Sequence, residues 1–134
     1  MKKSLRDNFI LISRVSLFIV YFWFGLLKVL GYSPAHDLVG DLLSTTIPFI
    51  PEELFVVSFG LFEMLVGLLW LVPRIEKPAF VLTLIHLFTT FGPLVFLPEV
   101  SWQGLLIPTL VGQYILKNFL IFSSAVTIYV SAEK

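Results

Sequence analysis

The chain has 134 residues, of which 57% are hydrophobic and only 13% are charged, and its mean hydropathy is +0.95. This balance excludes an ordinary soluble domain and indicates an integral membrane protein. The formal net charge is zero, from nine Lys or Arg and nine Asp or Glu, which argues against a basic nucleic-acid-binding protein. Because there is no cysteine, disulfides, thiolate catalysis and Cys-ligated zinc or iron–sulfur centres are excluded.

Four apolar segments are long enough to cross a bilayer, whose hydrocarbon core requires about 20 residues of helix. In chain order they cover residues 9–30, 54–72, 79–97 and about 105–130. Prolines follow the second and third segments, as expected where helices end. The sequence therefore predicts an all-α fold, a bundle of four transmembrane helices that forms a single membrane domain.

The long connection, residues 31–53, contains a further helical pattern. Ser33 and Pro34 are typical of a helix start, and apolar residues recur at helical spacing as far as Pro48. We therefore predict a short amphipathic helix in this first extracytoplasmic loop, lying on the membrane surface. The alternative is an ordered loop with a single helical turn.

The zero net charge divides unevenly between the two sides of the membrane. Segments 1–8, 73–78 and 131–134 carry six Lys or Arg against three Asp or Glu, whereas segments 31–53 and 98–104 carry five acidic residues and no Lys or Arg. Since Lys and Arg in short loops favour the cytoplasmic side, we expect both termini in the cytoplasm and the chain in the cytoplasmic (inner) membrane. The spans retain three cations and one carboxylate, a net charge of +2.

Each predicted span carries its small and polar residues on one helical face. Helices in lipid place such residues at their mutual contacts, so we predict a compact bundle of four antiparallel helices in which these faces meet. The faces consist of Arg14, Phe18, Tyr21, Gly25 and Lys28 in the first span; Gly60, Glu63, Gly67 and Arg74 in the second; Ala79, Thr83, His86, Thr90 and Pro93 in the third; and Thr109, Gln113, Lys117, Ser124, Thr127 and Ser131 in the fourth.

Ionisable residues cluster near the middle of the spans. Glu63, His86 and Lys117 lie within roughly 5 Å of the midplane, and Arg14 lies roughly 8 Å toward the cytoplasm. A charge at a helix centre costs about 2.5–3.5 kcal/mol on insertion scales. We therefore expect Arg14, Glu63 and Lys117 to converge in one network that has an excess of positive charge.

Lys28 differs from these residues because it lies near the outer end of its helix. We expect its side chain to reach the interface, with Asp37 or Asp41 as its partner.

The polar residues near the midplane predict a polar pocket there as the ligand site. Its predicted lining is Arg14, Tyr21, Glu63, His86, Gln113 and Lys117. The alternative interpretation is a buried salt-bridge network that fixes helix register and binds nothing.

Three strings of residues resemble the DoxX-like family of small four-helix membrane proteins. They are Phe24-Gly25-Leu26-Leu27-Lys28-Val29-Leu30-Gly31, Glu63 followed by Gly67-Leu68-Leu69, and Gly112-Gln113-Tyr114-Ile115-Leu116-Lys117-Asn118. The resemblance covers nearly the whole chain and implies a four-helix inner-membrane protein. The activity of the family is largely uncharacterised: some relatives are membrane subunits linked to thiosulfate or sulfur oxidation with quinone as acceptor, and others are similar to partners in oxidative-stress membrane complexes or to assembly chaperones for receptors. The resemblance therefore implies fold better than function.

The predicted function is an accessory or ligand-binding membrane subunit of a redox or other membrane complex. Its ligand would be a quinone-like molecule, a lipid or another amphiphile, and its partners would be the bilayer, a membrane or extracytoplasmic protein, or a second copy. A structural or assembly protein with a locked bundle is the second hypothesis, and a small proton-coupled or anion transporter is the third. The sequence contains no stand-alone catalytic set and no metal-ligand set.

Overall fold

The computed structural model describes residues 2–133, with side chains described for residues 4–133. This part of the chain is mostly helical, because an apolar segment in lipid has to satisfy its backbone groups within its own helix. Its helices are α1 Lys2–Val29, α2 His36–Thr46, α3 Glu52–Leu71, α4 Glu76–Thr90, α5 Pro93–Phe96, α6 Pro98–Ser101, α7 Leu110–Leu116 and α8 Asn118–Ala132.

Four helical segments are long and apolar enough to cross a membrane. They are Ser4–Val29, Glu52–Leu71, Glu76–Phe96 and Leu110–Ala132. The prediction of four transmembrane helices is confirmed at the level of length and composition. The second segment lies within two residues of its predicted limits, whereas the first, third and fourth have shifted starts.

These segments form a ring in which sequence neighbours are antiparallel. Contacts join α1 to α3, α3 to α4, α4 to α8, and α8 back to α1. The approach of α1 and α3 is close, since a methyl group on Gly60 would lie 2.6 Å from the carbonyl oxygen of Gly25. At one end of the ring Arg6 donates to the carbonyl oxygen of Ser131 at 2.6 Å, so the two chain ends lie together. We call this the terminal end and the opposite one, which carries α2, the α2 end.

The third span is interrupted before its predicted end. The regular helix α4 stops at Thr90, and Pro93 begins the short helix α5. Proline has no backbone N–H and cannot continue the hydrogen-bond ladder of the preceding helix. The N–H of Gly92 instead donates to the carbonyl of Thr89 at 3.1 Å, which tightens the chain at the break.

The fourth span does not begin at residue 105, and the fold is not purely helical. Trp102–Gly104 and Ile107–Pro108 form a short antiparallel hairpin, β1 and β2, and the two leucines between them make its turn. Apolar composition made these leucines look like the start of a span. They are in fact highly exposed at the α2 end of the bundle.

Local backbone chemistry explains why the helix starts later. Pro108 cannot donate a hydrogen bond, so it favours an edge or a turn rather than a helix interior. Thr109 then acts as the N-cap of α7, and its hydroxyl accepts from the N–H of Gly112 at 3.1 Å. The span therefore begins at Leu110.

The predicted loop helix is present as α2, although it begins two residues later than expected, with Ala35 rather than Ser33 as its N-cap. The hydroxyl of Ser33 accepts from the N–H of Ala35 at 3.2 Å, which closes a turn before the helix instead of capping it. Gly40 and Leu43 are the buried positions of α2, and the helix packs against α3 and α5. It therefore covers part of the α2 end of the bundle.

Candidate functional site

Polar side chains follow the shared interface of α1, α3 and α4. On α1, Arg14, Tyr21 and Lys28 recur at seven-residue intervals, so they occupy one face at three levels. All three side chains are buried. The buried polar residues that face them are Glu63 and Trp70 on α3 and Glu76, Thr83 and His86 on α4.

The half of this interface nearer the α2 end holds a continuous set of hydrogen bonds between Lys28, Glu63, His86 and Tyr21, which we call the Glu63 network. Lys28 Nζ donates to Glu63 Oε2 at 2.8 Å, and Glu63 Oε1 lies 2.8 Å from His86 Nε2. His86 Nδ1 lies 3.1 Å from the Tyr21 hydroxyl. The side chains of Lys28, Glu63 and His86 are only 6–8% exposed, so water does little to weaken these contacts.

The network assigns the hydrogens of His86. An ionised Glu63 only accepts hydrogen bonds, so Nε2 carries a hydrogen and, in the neutral ring, Nδ1 accepts from the hydroxyl of Tyr21. Phe59 stacks on the imidazole with centroids 5.3 Å apart, and its ring centroid lies 5.7 Å from Lys28 Nζ. These contacts hold the imidazole in one orientation.

A separate ion pair occupies the half of the interface nearer the terminal end. Arg14 forms a salt bridge with Glu76 and donates from Nη1 to the carbonyl oxygen of Trp70 at 3.0 Å. Glu76, within the connection predicted over residues 73–78, instead begins α4, and Arg14 pairs with it rather than with the expected Glu63. The Trp70 indole donates to the hydroxyl of Thr83 at 2.9 Å. An indole N–H cannot accept a hydrogen bond, so these residues provide no continuous proton path between the two halves.

The buried polar groups of this interface satisfy one another. Among the described side chains, no buried nitrogen or oxygen lacks a hydrogen-bond partner. The polar residues at mid-depth therefore contact each other. Within the described residues, no group of three His, Asp or Glu could hold a metal ion.

The expected pairing of Glu63 with Lys117 is wrong. Lys117 and Gln113 are both exposed on the outside of the bundle, away from the Glu63 network. Lys117 Nζ instead lies 4.8 Å from the centroid of the Tyr114 ring. Equal depth in the membrane did not bring the two charges together, because α7 turns Lys117 away from the helix interface.

Lys28 is the cation that pairs with Glu63. Its position near a helix end predicted a contact with Asp37 or Asp41, but the side chain is buried and bonds to Glu63 instead. The sequence did contain a signal for this arrangement, since Lys28 follows Tyr21 by seven residues and therefore shares its inward face.

Clefts open at both ends of the bundle. The cleft at the α2 end has a volume of about 500 Å³ and is lined by Lys28, so one member of the Glu63 network borders this space. Two polar groups of the same lining, His36 Nε2 and Glu52 Oε1, lie 3.1 Å apart. We call this space the α2-end cleft. A second cleft, of about 200 Å³, lies at the terminal end beside Arg14, Arg74 and Glu76.

Comparison of the chain with protein-family models, with curated proteins and with solved structures finds no match. The resemblance to DoxX-like proteins therefore stays a prediction that rests on the strings around Lys28, Glu63 and Lys117. Function has to be inferred from the chemistry of the Glu63 network and of the cleft beside it.

Proposed function

We propose that this protein is an accessory or ligand-binding membrane subunit that receives the polar head of an amphiphile in the α2-end cleft. The ligand class is a quinone-like molecule or a lipid with a hydrogen-bond-accepting head. In keeping with the DoxX-like resemblance, the subunit would serve a redox or other complex of the inner membrane. The observation that carries the proposal is the position of Lys28, which borders the cleft and belongs to the Glu63 network.

Lys28 has donor capacity left for a ligand. An ammonium group has three N–H donors, and within the described residues one of them goes to Glu63. The remaining donors suit a carbonyl or an anionic oxygen. Glu63 compensates the charge of Lys28, so the ammonium can be held beside the cleft without the cost of an isolated buried cation.

The cleft fits the proposed ligand class in size and lining. About 500 Å³ lies within the usual range for small-molecule pockets, which combine apolar walls with a few directed polar groups. Lys28, His36, Glu52 and Glu53 supply the polar groups. The apolar part of the lining is Val29, Leu30, Val56 and Val57.

The proposal is tested with a photoactivatable benzoquinone and the full chain in phosphatidylcholine nanodiscs. We expect crosslinks on residues 28–31 and 52–57, and competition by decyl-ubiquinone. Lys28→Met should weaken labelling about tenfold, since a hydrogen bond to a charged group is worth about 1.5–3 kcal/mol. Lys28→Arg retains charge and donors and should label within a few-fold of the unaltered chain.

A matched control is Lys117→Met, which removes an exposed lysine from another helix and should leave labelling unchanged. Crosslinks outside the α2-end cleft, or equal labelling of the Lys28→Met and unaltered chains, would sink the proposal. If phosphatidylglycerol competes and decyl-ubiquinone does not, the ligand is a lipid rather than a quinone.

A second candidate function is a structural or assembly protein whose buried charges lock the bundle. The observation that favours it is the complete pairing of buried polar side-chain atoms within the described residues. Buried polar networks of this kind can specify helix register even when they add little net stability. The two candidates differ in what they expect of a bundle that stays folded without the charge of Lys28. A ligand site would lose its function in that bundle, whereas a structural lock would not.

A further inference from the structure

The four spans contain three cations, Arg14, Lys28 and Lys117, and Lys117 differs from the other two. Arg14 and Lys28 each have a carboxylate partner, whereas Lys117 has no ion-pair partner among residues 4–133. Its side chain is exposed, and its described contact is the ring of Tyr114. The sequence resemblance singled out this segment, yet the Glu63 network does not use it.

Lys117 lies within the apolar part of its span. Residue 121 is the midpoint of Leu110–Ala132, so Lys117 is about 6 Å from it, on the side of the α2 end. Exposed residues at helical spacing surround it on one side of the helix, which we call the Lys117 face. This face consists of Leu110, Gln113, Tyr114 and Lys117.

A cation at this depth that faces lipid is costly, and intramembrane cations usually pair with a carboxylate or line a polar cavity. Pairing also holds within this protein, where both other cations contact glutamates. The charge of Lys117 is thus complementary to a carboxylate at the same depth on a neighbouring helix. Gln113, one turn away, adds an amide that can donate and accept.

A second copy of this chain does not provide that carboxylate. Glu63 is buried and already contacts Lys28 and His86. The remaining carboxylates of the described chain lie near helix ends or in the connections. A symmetric pair formed through this face would also bring two Lys117 side chains together, which is repulsive.

We propose that the Lys117 face binds a transmembrane helix of a different protein that carries an Asp or Glu at the depth of Lys117. The apolar members of the face pack against the partner, and Lys117 and Gln113 bond to its carboxylate. This surface lies on the fourth span and is separate from the α2-end cleft. Partner binding therefore does not depend on whether the cleft binds an amphiphile.

The test uses a synthetic 23-residue Leu/Ala transmembrane helix with one Asp about 6 Å from its centre, and the same helix with Leu at that position. Association with the full chain is measured by energy transfer in phosphatidylcholine vesicles, with a dye on Glu133→Cys, because the chain has no cysteine of its own. We expect the Asp helix to bind about tenfold more tightly than the Leu helix. Lys117→Met should abolish this preference, and Lys77→Met, a lysine at the other end of the bundle, should retain it.

Charge reversal keeps the test informative if Lys117→Met is poorly folded. Lys117→Asp should bind a helix that carries Lys at the same depth and should lose its preference for the Asp helix. Equal binding of the Asp and Leu helices by the unaltered chain would overturn the proposal, as would a preference that survives Lys117→Met. If Lys117 instead enriches phosphatidylglycerol around the protein with no preference between helices, the surface binds lipid headgroups and the proposal is wrong.

Discussion

Removing the charge of Glu63 is the sharpest perturbation of the buried network. In Glu63→Gln the amide keeps one acceptor oxygen, whereas the carboxylate receives hydrogen bonds from both Lys28 and His86 at 2.8 Å. The amide oxygen can satisfy only one of these geometries, and the amide nitrogen then faces another donor. We therefore expect the substitution to leave Lys28 as an uncompensated buried cation, and to leave either Lys28 or His86 without its acceptor.

The structure sets the size of the effect. The side chains of Lys28 and Glu63 are 7% and 6% exposed, so solvent screening is small. Breaking a buried ion pair by removing one partner costs about 3–5 kcal/mol, and we expect that loss in the free energy of unfolding for Glu63→Gln and for Lys28→Met. In the double variant the uncompensated charge disappears, and coupling between contacting residues should restore about 1–3 kcal/mol.

The assay is reversible unfolding of the full chain in mixed dodecyl maltoside and dodecyl sulfate micelles, followed by circular dichroism. Lys117→Met is the matched control, because an exposed lysine away from such networks should change stability by at most about 0.5 kcal/mol. A Lys28→Met variant as mild as this control would contradict the predicted cost of breaking the ion pair. A double variant no more stable than the sum of the two single changes predicts would contradict the coupling between Lys28 and Glu63.

Two further predictions concern packing and orientation. Gly60→Ala should destabilise the bundle by about 1–3 kcal/mol in the same assay, because its methyl group would lie 2.6 Å from the carbonyl oxygen of Gly25 and 2.8 Å from Lys28 Cβ. The control is Gly104→Ala, which should be nearly neutral because the nearest contact of its methyl group would be a flexible isoleucine side chain at 3.3 Å. Cysteines introduced at Tyr32 and Glu133 should react with a membrane-impermeant maleimide from opposite sides of the membrane, the first from outside the cytoplasm, and labelling of both from one side would contradict the four-span topology.

Span positions were predictable because they depend on hydropathy averaged over about 20 residues, a property that tolerates local detail. The inward faces of the first three spans were also predictable. Arg14 and Tyr21 on α1, Glu63 on α3, and Thr83 and His86 on α4 are all buried at the interface where their spacing put them. Small and polar residues at steps of three and four identify a helix contact when the helix is regular.

The fourth span did not follow this rule. Its predicted inward face contained Gln113 and Lys117, but the buried residues are Gly112, Ile115, Ala125 and Ile128. The helix breaks at Lys117, between α7 and α8, so one 3.6-residue phase does not run through the whole span. Gln113 precedes this break and Lys117 lies at it, however, and they are exposed because Gly112, which packs closely against the carbonyl oxygen of Ser101, and Ile115 take the inward positions of α7. A face chosen by polarity therefore misassigned the partner of Glu63.

The polar chemistry of the protein lies in two separate places, the buried Glu63 network and the exposed Lys117 face. The Glu63 network draws its members from α1, α3 and α4, and α7–α8 contributes none of them. Lys28 and Lys117 share no hydrogen-bond partner among the described residues, so substitutions at the two lysines should act independently. Loss of amphiphile labelling should follow Lys28, and loss of preference for an acidic helix should follow Lys117. If one substitution abolished both amphiphile labelling and the preference for an acidic helix, the cause would be lost stability of the whole bundle. The unfolding measurements on Glu63→Gln, Lys28→Met and their double variant measure that stability separately.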